Sequence, residues 1–170
     1  MNNCNLICII QARLTSSRLP NKVLKKINNK NSLQIIHEKL KKIKEIDEIV
    51  FAIPNNTMNM PLKKFLLKNN YKVFCGSEKN VLSRYYKTAQ YYNAENILRI
   101  TADCPLIDYK IIRKLIKNFF ELNYDYGSNT IIRTFPDGYD AEIFKFNTLK
   151  KTFIKSTKSY DKEHVTSYMK

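Results

Sequence analysis

The chain has 170 residues, of which 44% are hydrophobic, which is the size of one ordinary domain with a single core. Three glycines and five prolines are too few for a long flexible linker, so residues 1–170 are predicted to fold as one domain. Thirty Lys and Arg residues against fifteen Asp and Glu residues give a formal net charge of +15, which favours anionic ligands. Because no arginine-rich run or stacking motif accompanies this charge, nucleic acid is the less favoured partner.

The cysteines and the apolar segments exclude further classes of protein. Cys4, Cys8, Cys75 and Cys104 have no CxxC spacing and no His cluster nearby, so neither a zinc site nor a thioredoxin-like motif is expected. The apolar run at residues 6–10 is too short to cross a bilayer and has no basic flank, so it is not read as a signal peptide. No other segment has the composition of a membrane span, and we therefore expect a cytoplasmic protein with reduced thiols.

Strands and helices alternate in the predicted order of elements. Residues 5–11 are a nearly continuous apolar run with β-branched side chains, typical of a strand buried on both faces. A helix over residues 33–46 is predicted to follow, with Ser32 as its N-cap. Later strands are predicted at residues 48–53, 71–75 and 96–101, and later helices at residues 60–69, 80–92 and 108–120.

This alternation predicts an α/β fold with a mostly parallel sheet covered by helices on both faces. Beyond residue 120 the pattern is less regular, with a strand-like alternation at residues 143–146 and a polar, helix-like end. Ligands of parallel sheets bind beyond the carboxyl ends of the strands. The loops after Gln11 and after Thr101 are therefore the first places to look for a site.

The first of these loops, QARLTSSRLPNK, is rich in cations and hydroxyl groups. Arg13, Arg18 and Lys22 can make charge-assisted hydrogen bonds to a triphosphate. The loop matches neither the GxxxxGK[ST] phosphate-binding loop nor the GxGxxG dinucleotide fingerprint. On these residues alone, a solvated basic turn is about as good an interpretation as a phosphate clamp.

The second loop, TADCPLID, places Asp103 just past the predicted strand at residues 96–101. A carboxylate that faces a basic loop at the edge of a sheet is suited to holding Mg²⁺ on the phosphates of a nucleotide. The alternative is an Asx turn or an N-cap at the crossover to the next helix. Asp108 fits that capping position better, so the metal is assigned to Asp103 and the cap to Asp108.

A third acidic group lies in the segment PDGYDAE. Asp137, Asp140 and Glu142 follow one another closely, and in an extended segment Asp140 and Glu142 share a face. They would then bind a metal or sugar hydroxyl groups together, whereas the simpler alternative is a polar hairpin turn. His164, near the end of the chain, fits either a surface position or a contact with substrate.

Taken together, the segments IIQARLTSSRLPNKVL, FCGSEKNVLSRYY, RITADCPLID, SNTIIRTFPDGYDAEIF and EHVTSYM resemble one family, in order over essentially the whole chain. It is the cytidylyltransferase family, which includes spore-coat polysaccharide-biosynthesis proteins and relatives of the acylneuraminate and Kdo cytidylyltransferases. Several collinear motifs are far more specific than any one of them. The resemblance implies a Rossmann-like, three-layer α/β/α nucleotide-diphospho-sugar transferase fold.

The resemblance also implies functions for particular residues. It makes Arg13, Lys22 and Asp103 catalytic, Asp103 the Mg²⁺ ligand, and the region from Asp137 through Asp140 to Glu142 the lining of the sugar pocket. The nucleotide-binding positions that it implies are Ala12, Arg13, Arg18, Lys22, Ser77, Arg84 and Asp103.

The implied activity couples CTP to a sugar acid or a sugar phosphate and releases pyrophosphate, in the biosynthesis of a surface polysaccharide. A homodimer is also implied, because relatives pair. Relatives commonly carry glycines in the first loop, where this chain has Thr15 and Asn21. They also continue beyond EHVTSYM into a segment with a second metal-binding aspartate, so the chain is expected to lack the family's C-terminal segment. The alternatives are a glycosyltransferase of related fold and a truncated domain that binds nucleotide without turnover.

Overall fold

A computed structural model of the chain describes residues 5–16 and 19–170. Its strands are β1 (Leu6–Gln11), β2 (Lys26–Ile27), β3 (Lys30–Asn31), β4 (Glu48–Pro54), β5 (Lys72–Gly76), β6 (Asn96–Thr101), β7 (Tyr126–Ser128) and β8 (Glu142–Lys145). Its α-helices are α1 (Ser32–Leu40), α2 (Met60–Lys68), α3 (Val81–Tyr91), α4 (Tyr109–Glu121), α5 (Phe146–Lys155) and α6 (Ser159–His164). Two short 3₁₀ helices span Lys22–Leu24 and Thr57–Asn59.

Six strands form one sheet in the order β5-β4-β1-β6-β8-β7, while β2 and β3 form a separate hairpin. Strands β5, β4, β1 and β6 are parallel, and β8 is antiparallel to both of its neighbours. The predicted mostly parallel sheet is therefore confirmed. Gln11 at the end of β1 is in register with Ala52 of β4 and with Thr101 of β6. The loops after β1 and β6 consequently leave the sheet side by side.

Helices cover both faces of the sheet, and β1 contributes to the core on each side. Leu6, Cys8 and Ile10 pack with buried residues of α1, α2 and α4, whereas Ile7 and Ile9 pack with buried residues of α3 and α5. All five side chains are at most 1% exposed, as expected of a strand buried on both faces. The three-layer α/β/α architecture expected from the resemblance is confirmed.

Helix α1 differs from the sequence prediction at both of its ends. Its N-cap is Asn31, whose side chain accepts a hydrogen bond from the Gln34 backbone while the Gln34 side chain accepts one from the Asn31 backbone, each 3.1 Å long. Ser32, the predicted cap, lies inside the helix and donates its hydroxyl to the backbone carbonyl of Ala102 instead. This contact ties α1 to the loop that carries Asp103.

The same helix ends at Leu40 and not at residue 46, because the chain must turn back to enter β4. Asp47 makes the turn specific, since its carboxylate accepts a hydrogen bond of 2.8 Å from the backbone N–H of Leu6. The backbone N–H of Asp47 in turn donates to the carbonyl of Leu6 at 3.0 Å. The turn also buries Ile43, which is 2% exposed, so the apolar periodicity continues past the end of the helix.

The predicted cap of α4 is confirmed and gives a test of stability. The carboxylate of Asp108 accepts a hydrogen bond of 2.6 Å from the backbone N–H of Lys110. Asp108→Ala is expected to lower the free energy of unfolding by about 1 kcal/mol, measured by urea denaturation, because an orphan donor of the first turn loses its acceptor. Asp108→Asn keeps an acceptor and should retain most of the stability. Equal losses in the two variants would contradict this assignment.

No helix in the described part of the chain combines the length and the apolar composition that a membrane span requires.

Candidate active site

A cavity of about 220 Å³ lies at the carboxyl edge of the sheet, between the loops after β1 and β6. Ala12, Arg13 and Lys22 line it from the first loop, Asp103 from the second, and Arg84 from α3. Two basic residues of the N-terminal loop and the acidic residue of the second loop therefore share one cavity, as the sequence predicts. Arg18 falls outside the described residues.

Lys22 and Asp103 meet directly at this cavity. The Nζ atom of Lys22 lies 2.6 Å from the Oδ2 atom of Asp103, and the two side chains are 30% and 45% exposed. Partial burial raises the pKa of Asp103, but the hydrogen bonds from Lys22 and Thr101 and the charge of Lys22 outweigh it, so the pKa lies below its ordinary value. Asp103 is therefore ionised at neutral pH.

The residue before Lys22 has a left-handed backbone conformation, for which glycine is the usual residue. Asn21 adopts a left-handed conformation with φ of 58° and ψ of 17°, directly before the 3₁₀ helix that begins at Lys22. Asparagine tolerates this region better than most residues because its short polar side chain can bond locally. Its backbone N–H donates to the carbonyl of Leu14 at 3.1 Å, which closes the loop at its far end.

Arg84 is a buried cation in the wall of the cavity. It is 2% exposed, and its Nη1 atom donates to the backbone carbonyl of Ser77. Its Nε atom has no hydrogen-bond partner among the described residues. Burial is the main cause that lowers the pKa of Arg84, and the charge of Arg13 lowers it further. An anion bound in the cavity would offset this unpaired charge.

A glycine permits Arg84 to lie so close to the end of β5. A Cβ atom at Gly76 would be 3.0 Å from the Cγ atom of Arg84, too close for an ordinary contact. Ser77, a predicted nucleotide-binding residue, holds Arg84 through its carbonyl oxygen. Its own hydroxyl accepts a hydrogen bond of 3.0 Å from the backbone N–H of Asn80, the N-cap of α3.

A second cavity of about 300 Å³ adjoins the first and lies towards the C-terminal part of the chain. Arg99, Thr101 and His164 line both cavities, so the two meet at these residues. Asp140 and Glu142 line the second cavity, whereas Asp137 is an exposed residue whose carboxylate pairs with Arg133. Arg133 also approaches Asp140, at 3.8 Å. The substrate contacts predicted for the three acidic residues remain predictions.

Glu142 is the most heavily engaged of these carboxylates. It is 4% exposed, and it accepts hydrogen bonds from the hydroxyl groups of Tyr126, at 2.7 Å, and Thr166, at 2.9 Å. Arg99 pairs with it across neighbouring strands, and the Nζ atom of Lys170 lies 3.3 Å away. Burial raises the pKa of Glu142, but the charge of Arg99 and the hydroxyl donors outweigh it, so the pKa lies below its ordinary value. The carboxylate thus ties the last residues of the chain to the sheet.

The Glu142 network predicts a pH-dependent stability. Glu142→Gln is expected to lower the free energy of unfolding by about 3 kcal/mol at neutral pH, because it leaves Arg99 as an uncompensated buried charge. Since the folded-state pKa of Glu142 is lowered, its stabilisation is present above the unfolded-state pKa and is lost as the pH falls through the folded-state pKa. The difference between the two proteins should therefore shrink in acid.

Chemical denaturation at a series of pH values checks this expectation. Glu121→Gln is the matched control, because Glu121 is 59% exposed and pairs with Lys117 on the surface of α4. Its effect should stay below about 0.5 kcal/mol at every pH. A Glu142→Gln loss that does not change between neutral and acidic pH would contradict the account.

Asp103 is suited to only one kind of metal site. The described residues contain no group of three or more His, Cys, Asp or Glu side chains that could hold a metal ion. Mg²⁺, however, is usually held by one or two carboxylates, several waters and the phosphates of a substrate. A single ionised and half-exposed carboxylate at the edge of this cavity fits such a shared site.

Sequence reasoning missed Arg99 as a site residue. Its guanidinium donates to the side-chain oxygen of Gln11 at 3.2 Å, and its side chain is 15% exposed. The signal was a single arginine within the apolar run NILRIT, because a cation in a buried strand needs a nearby carboxylate. The partner, Glu142, is 43 residues away, and only the antiparallel pairing of β6 with β8 brings the two together.

The chain is similar to known proteins over nearly its whole length. A family model described as cytidylyltransferase matches residues 7–170. The uncharacterized protein MJ1063 of Methanocaldococcus jannaschii is 37% identical over 164 residues, which are 96% of this chain and 66% of that protein. The spore coat polysaccharide biosynthesis protein SpsF of Bacillus subtilis is 30% identical over 171 residues, which are 98% of this chain and 70% of that protein.

Among solved structures, a cytidylyltransferase from Leptospira borgpetersenii superposes with a TM-score of 0.92 at 32% identity, over 97% of this chain and 70% of the other. The chain thus spans about two thirds of the length of these relatives, from 66% to 70%. Because the family model covers nearly all of the chain, the chain belongs to the cytidylyltransferase family.

Proposed function

We propose that the chain transfers the cytidylyl group of CTP to a sugar acid or a sugar phosphate and releases pyrophosphate. The observation that carries this proposal is the convergence of Arg13, Lys22, Arg84 and Asp103 on one cavity at the carboxyl edge of the sheet. The family supports CTP as the nucleotide. The name of the Bacillus subtilis relative supports a pathway of surface polysaccharide biosynthesis.

The reaction needs positioning and charge more than it needs a reactive side chain. An oxygen of the sugar attacks the α-phosphorus of CTP, the bond from that phosphorus to the bridging oxygen breaks, and pyrophosphate departs in line. Arg13 and Lys22 would neutralise the negative charge that grows on the leaving group. The sugar would occupy the second cavity, which meets the first at Arg99, Thr101 and His164.

Mg²⁺ is part of the same proposal, with Asp103 as its ligand from the protein. When bound, the ion would supply Lewis-acid neutralisation of phosphate charge. Lys22 now pairs with Asp103, so both residues would exchange this ion pair for contacts to the ligand. We also propose that Ser77 and Arg18 contact the nucleotide, that Asp137, Asp140 and Glu142 surround the sugar, and that the chain forms a homodimer.

A screen of nucleoside triphosphates against sugar acids and sugar phosphates, with pyrophosphate as the readout, tests the proposal. Release of pyrophosphate should require CTP, Mg²⁺ and one class of sugar, and a sugar nucleotide should accumulate. Consumption of an added sugar nucleotide in place of CTP would favour a glycosyltransferase. Tight binding of CTP without any pyrophosphate would favour a domain that binds nucleotide without turnover.

A further inference from the structure

The loop between β1 and the 3₁₀ helix at Lys22–Leu24 is held by a closed ring of hydrogen bonds that the proposed reaction does not use. We call it the Glu78 ring, and its members are Leu14, Thr15, Asn56, Asn59 and Glu78. The backbone N–H of Leu14 donates to the Oδ1 atom of Asn59 at 2.9 Å. The Nδ2 atom of Asn59 donates to the Oδ1 atom of Asn56 at 2.8 Å.

The remaining two bonds close the ring through a carboxylate. The Nδ2 atom of Asn56 donates to one oxygen of Glu78 at 2.7 Å, and the hydroxyl of Thr15 donates to the other oxygen, also at 2.7 Å. Thr15 follows Leu14 in the chain, so the circuit returns to its starting point. Four hydrogen bonds and the peptide bond between Leu14 and Thr15 therefore complete the ring.

Part of this ring is buried. Asn59 is 1% exposed and Leu14 is 6% exposed, so the hydrogen bond between them lies out of water. A buried amide that loses its partner pays the full cost of desolvation, and a bond to a carboxylate is stronger than one between neutral groups. The ring joins the loop after β1 to the segments that follow β4 and β5, which are fixed by the parallel sheet.

The ring is connected through the backbone of the loop to Arg13 and Lys22, two cations that line the cavity. Leu14 and Thr15 directly follow Arg13, and the carbonyl of Leu14 accepts hydrogen bonds from Ser16 and Asn21, at 2.9 and 3.1 Å. Asn21 in turn precedes Lys22. A displacement of Leu14 would therefore move both Arg13 and Lys22, at the two ends of the loop.

Glu78 also connects the ring to the buried cation of the cavity. Its negative charge raises the pKa of Arg84, in opposition to the larger lowering caused by burial. The same carboxylate thus holds Thr15 by a hydrogen bond and offsets part of the charge of Arg84 through space. The loop and the wall of the cavity are coupled through one side chain.

We propose that Thr15 is a positioning residue for the nucleotide, and that its bond to Glu78 sets the loop that grips the phosphates of CTP. This inference rests on the proposed function. Thr15 provides the anchoring through its side chain, because its hydroxyl donates to Glu78 at 2.7 Å.

The test compares two substitutions of nearly equal size. Thr15→Val replaces the hydroxyl by a methyl group of similar size, and Thr15→Ser keeps the hydroxyl and loses the methyl group. The dissociation constant of CTP with Mg²⁺, measured by titration calorimetry on the full chain, is expected to rise about tenfold in Thr15→Val, as for the loss of one charge-assisted hydrogen bond. In Thr15→Ser it should stay within about twofold of the parent protein. Once turnover is established, the KM for CTP should rise in Thr15→Val while kcat changes little.

A double-mutant cycle with Glu78→Ala, which removes both carboxylate oxygens, separates the ring from a general loss of structure. Because Thr15 acts through its bond to Glu78, adding Thr15→Val to the Glu78 variant should weaken the binding of CTP little further. Fully additive losses, or Thr15→Val binding within twofold of the parent, would overturn the inference. A parent protein that binds CTP and shows the Thr15 effect but releases no pyrophosphate would refute the proposed reaction and leave this inference standing. A parent protein that does not bind CTP would overturn both.

Discussion

Asp103→Asn is expected to reduce the rate of pyrophosphate release from CTP by about a thousandfold at saturating Mg²⁺ and CTP. Asparagine keeps the shape of the side chain and an oxygen that can accept the hydrogen bond from Lys22, which lies 2.6 Å from the present carboxylate. It removes the negative charge that a shared Mg²⁺ site needs. The loss should therefore fall on kcat, with only a modest change in stability.

Asp108→Asn is the matched control for this variant. Asp108 lies at the end of the same loop and caps α4, and it does not line the cavity that the described residues form. Its substitution should leave turnover within about twofold of the parent, because asparagine is also a good cap. If Asp103→Asn retained normal turnover, Asp103 would have no place in the mechanism.

Lys22→Met is expected to lower kcat/KM for CTP by about a hundredfold, because it removes one cation from the leaving pyrophosphate. Methionine approximates the length of the aliphatic stem, so the packing of the short helix Lys22–Leu24 should persist. Lys22→Arg keeps the charge and should lose less. Lys25→Met is the control, since Lys25 is an exposed residue of the same segment that is absent from the described lining of the cavity.

Lys22→Met should also change the pH dependence of the reaction. Hydrogen bonding and charge from Lys22 lower the pKa of Asp103, so their removal should raise it. The acidic limb of the kcat/KM profile should then move to higher pH in Lys22→Met, in the direction of the lost stabilisation of the carboxylate. A kcat/KM in Lys22→Met that equals the parent's, or an equal loss in Lys25→Met, would contradict this assignment.

The sheet was predictable because its strands are short apolar runs with clear boundaries. The prediction for β6 at residues 96–101 is confirmed, and those for β1, β4 and β5 differ by one residue at one or both ends. The runs of β1, β4 and β6 are specified by burial, which composition reports directly, whereas β5 lies at the edge of the sheet and is only half-buried. The end of α1 was not predictable from periodicity. Its position depends on the hydrogen bonds between Asp47 and Leu6, which belong to the tertiary structure.

The site was predictable where a loop follows a strand. The loops of Arg13, Lys22 and Asp103 were found because parallel strands end at the same edge of a sheet, and the structure brings these three residues to one cavity. The Glu78 ring and the Arg99 pair were not found, because each joins residues that are distant in the chain. Thr15 and Glu78 are 63 residues apart, and neither carries a local signal of the contact.

We propose that one cavity holds the triphosphate of CTP between Arg13 and Lys22, beside Asp103. A crystal structure of the chain with CTP and Mg²⁺ tests it most directly, through the distance from the Nζ atom of Lys22 to the nearest phosphate oxygen. We expect a direct contact of about 2.8 Å, with Lys22 no longer bonded to Asp103. CTP bound elsewhere, or bound here with the Lys22–Asp103 pair intact, would contradict it.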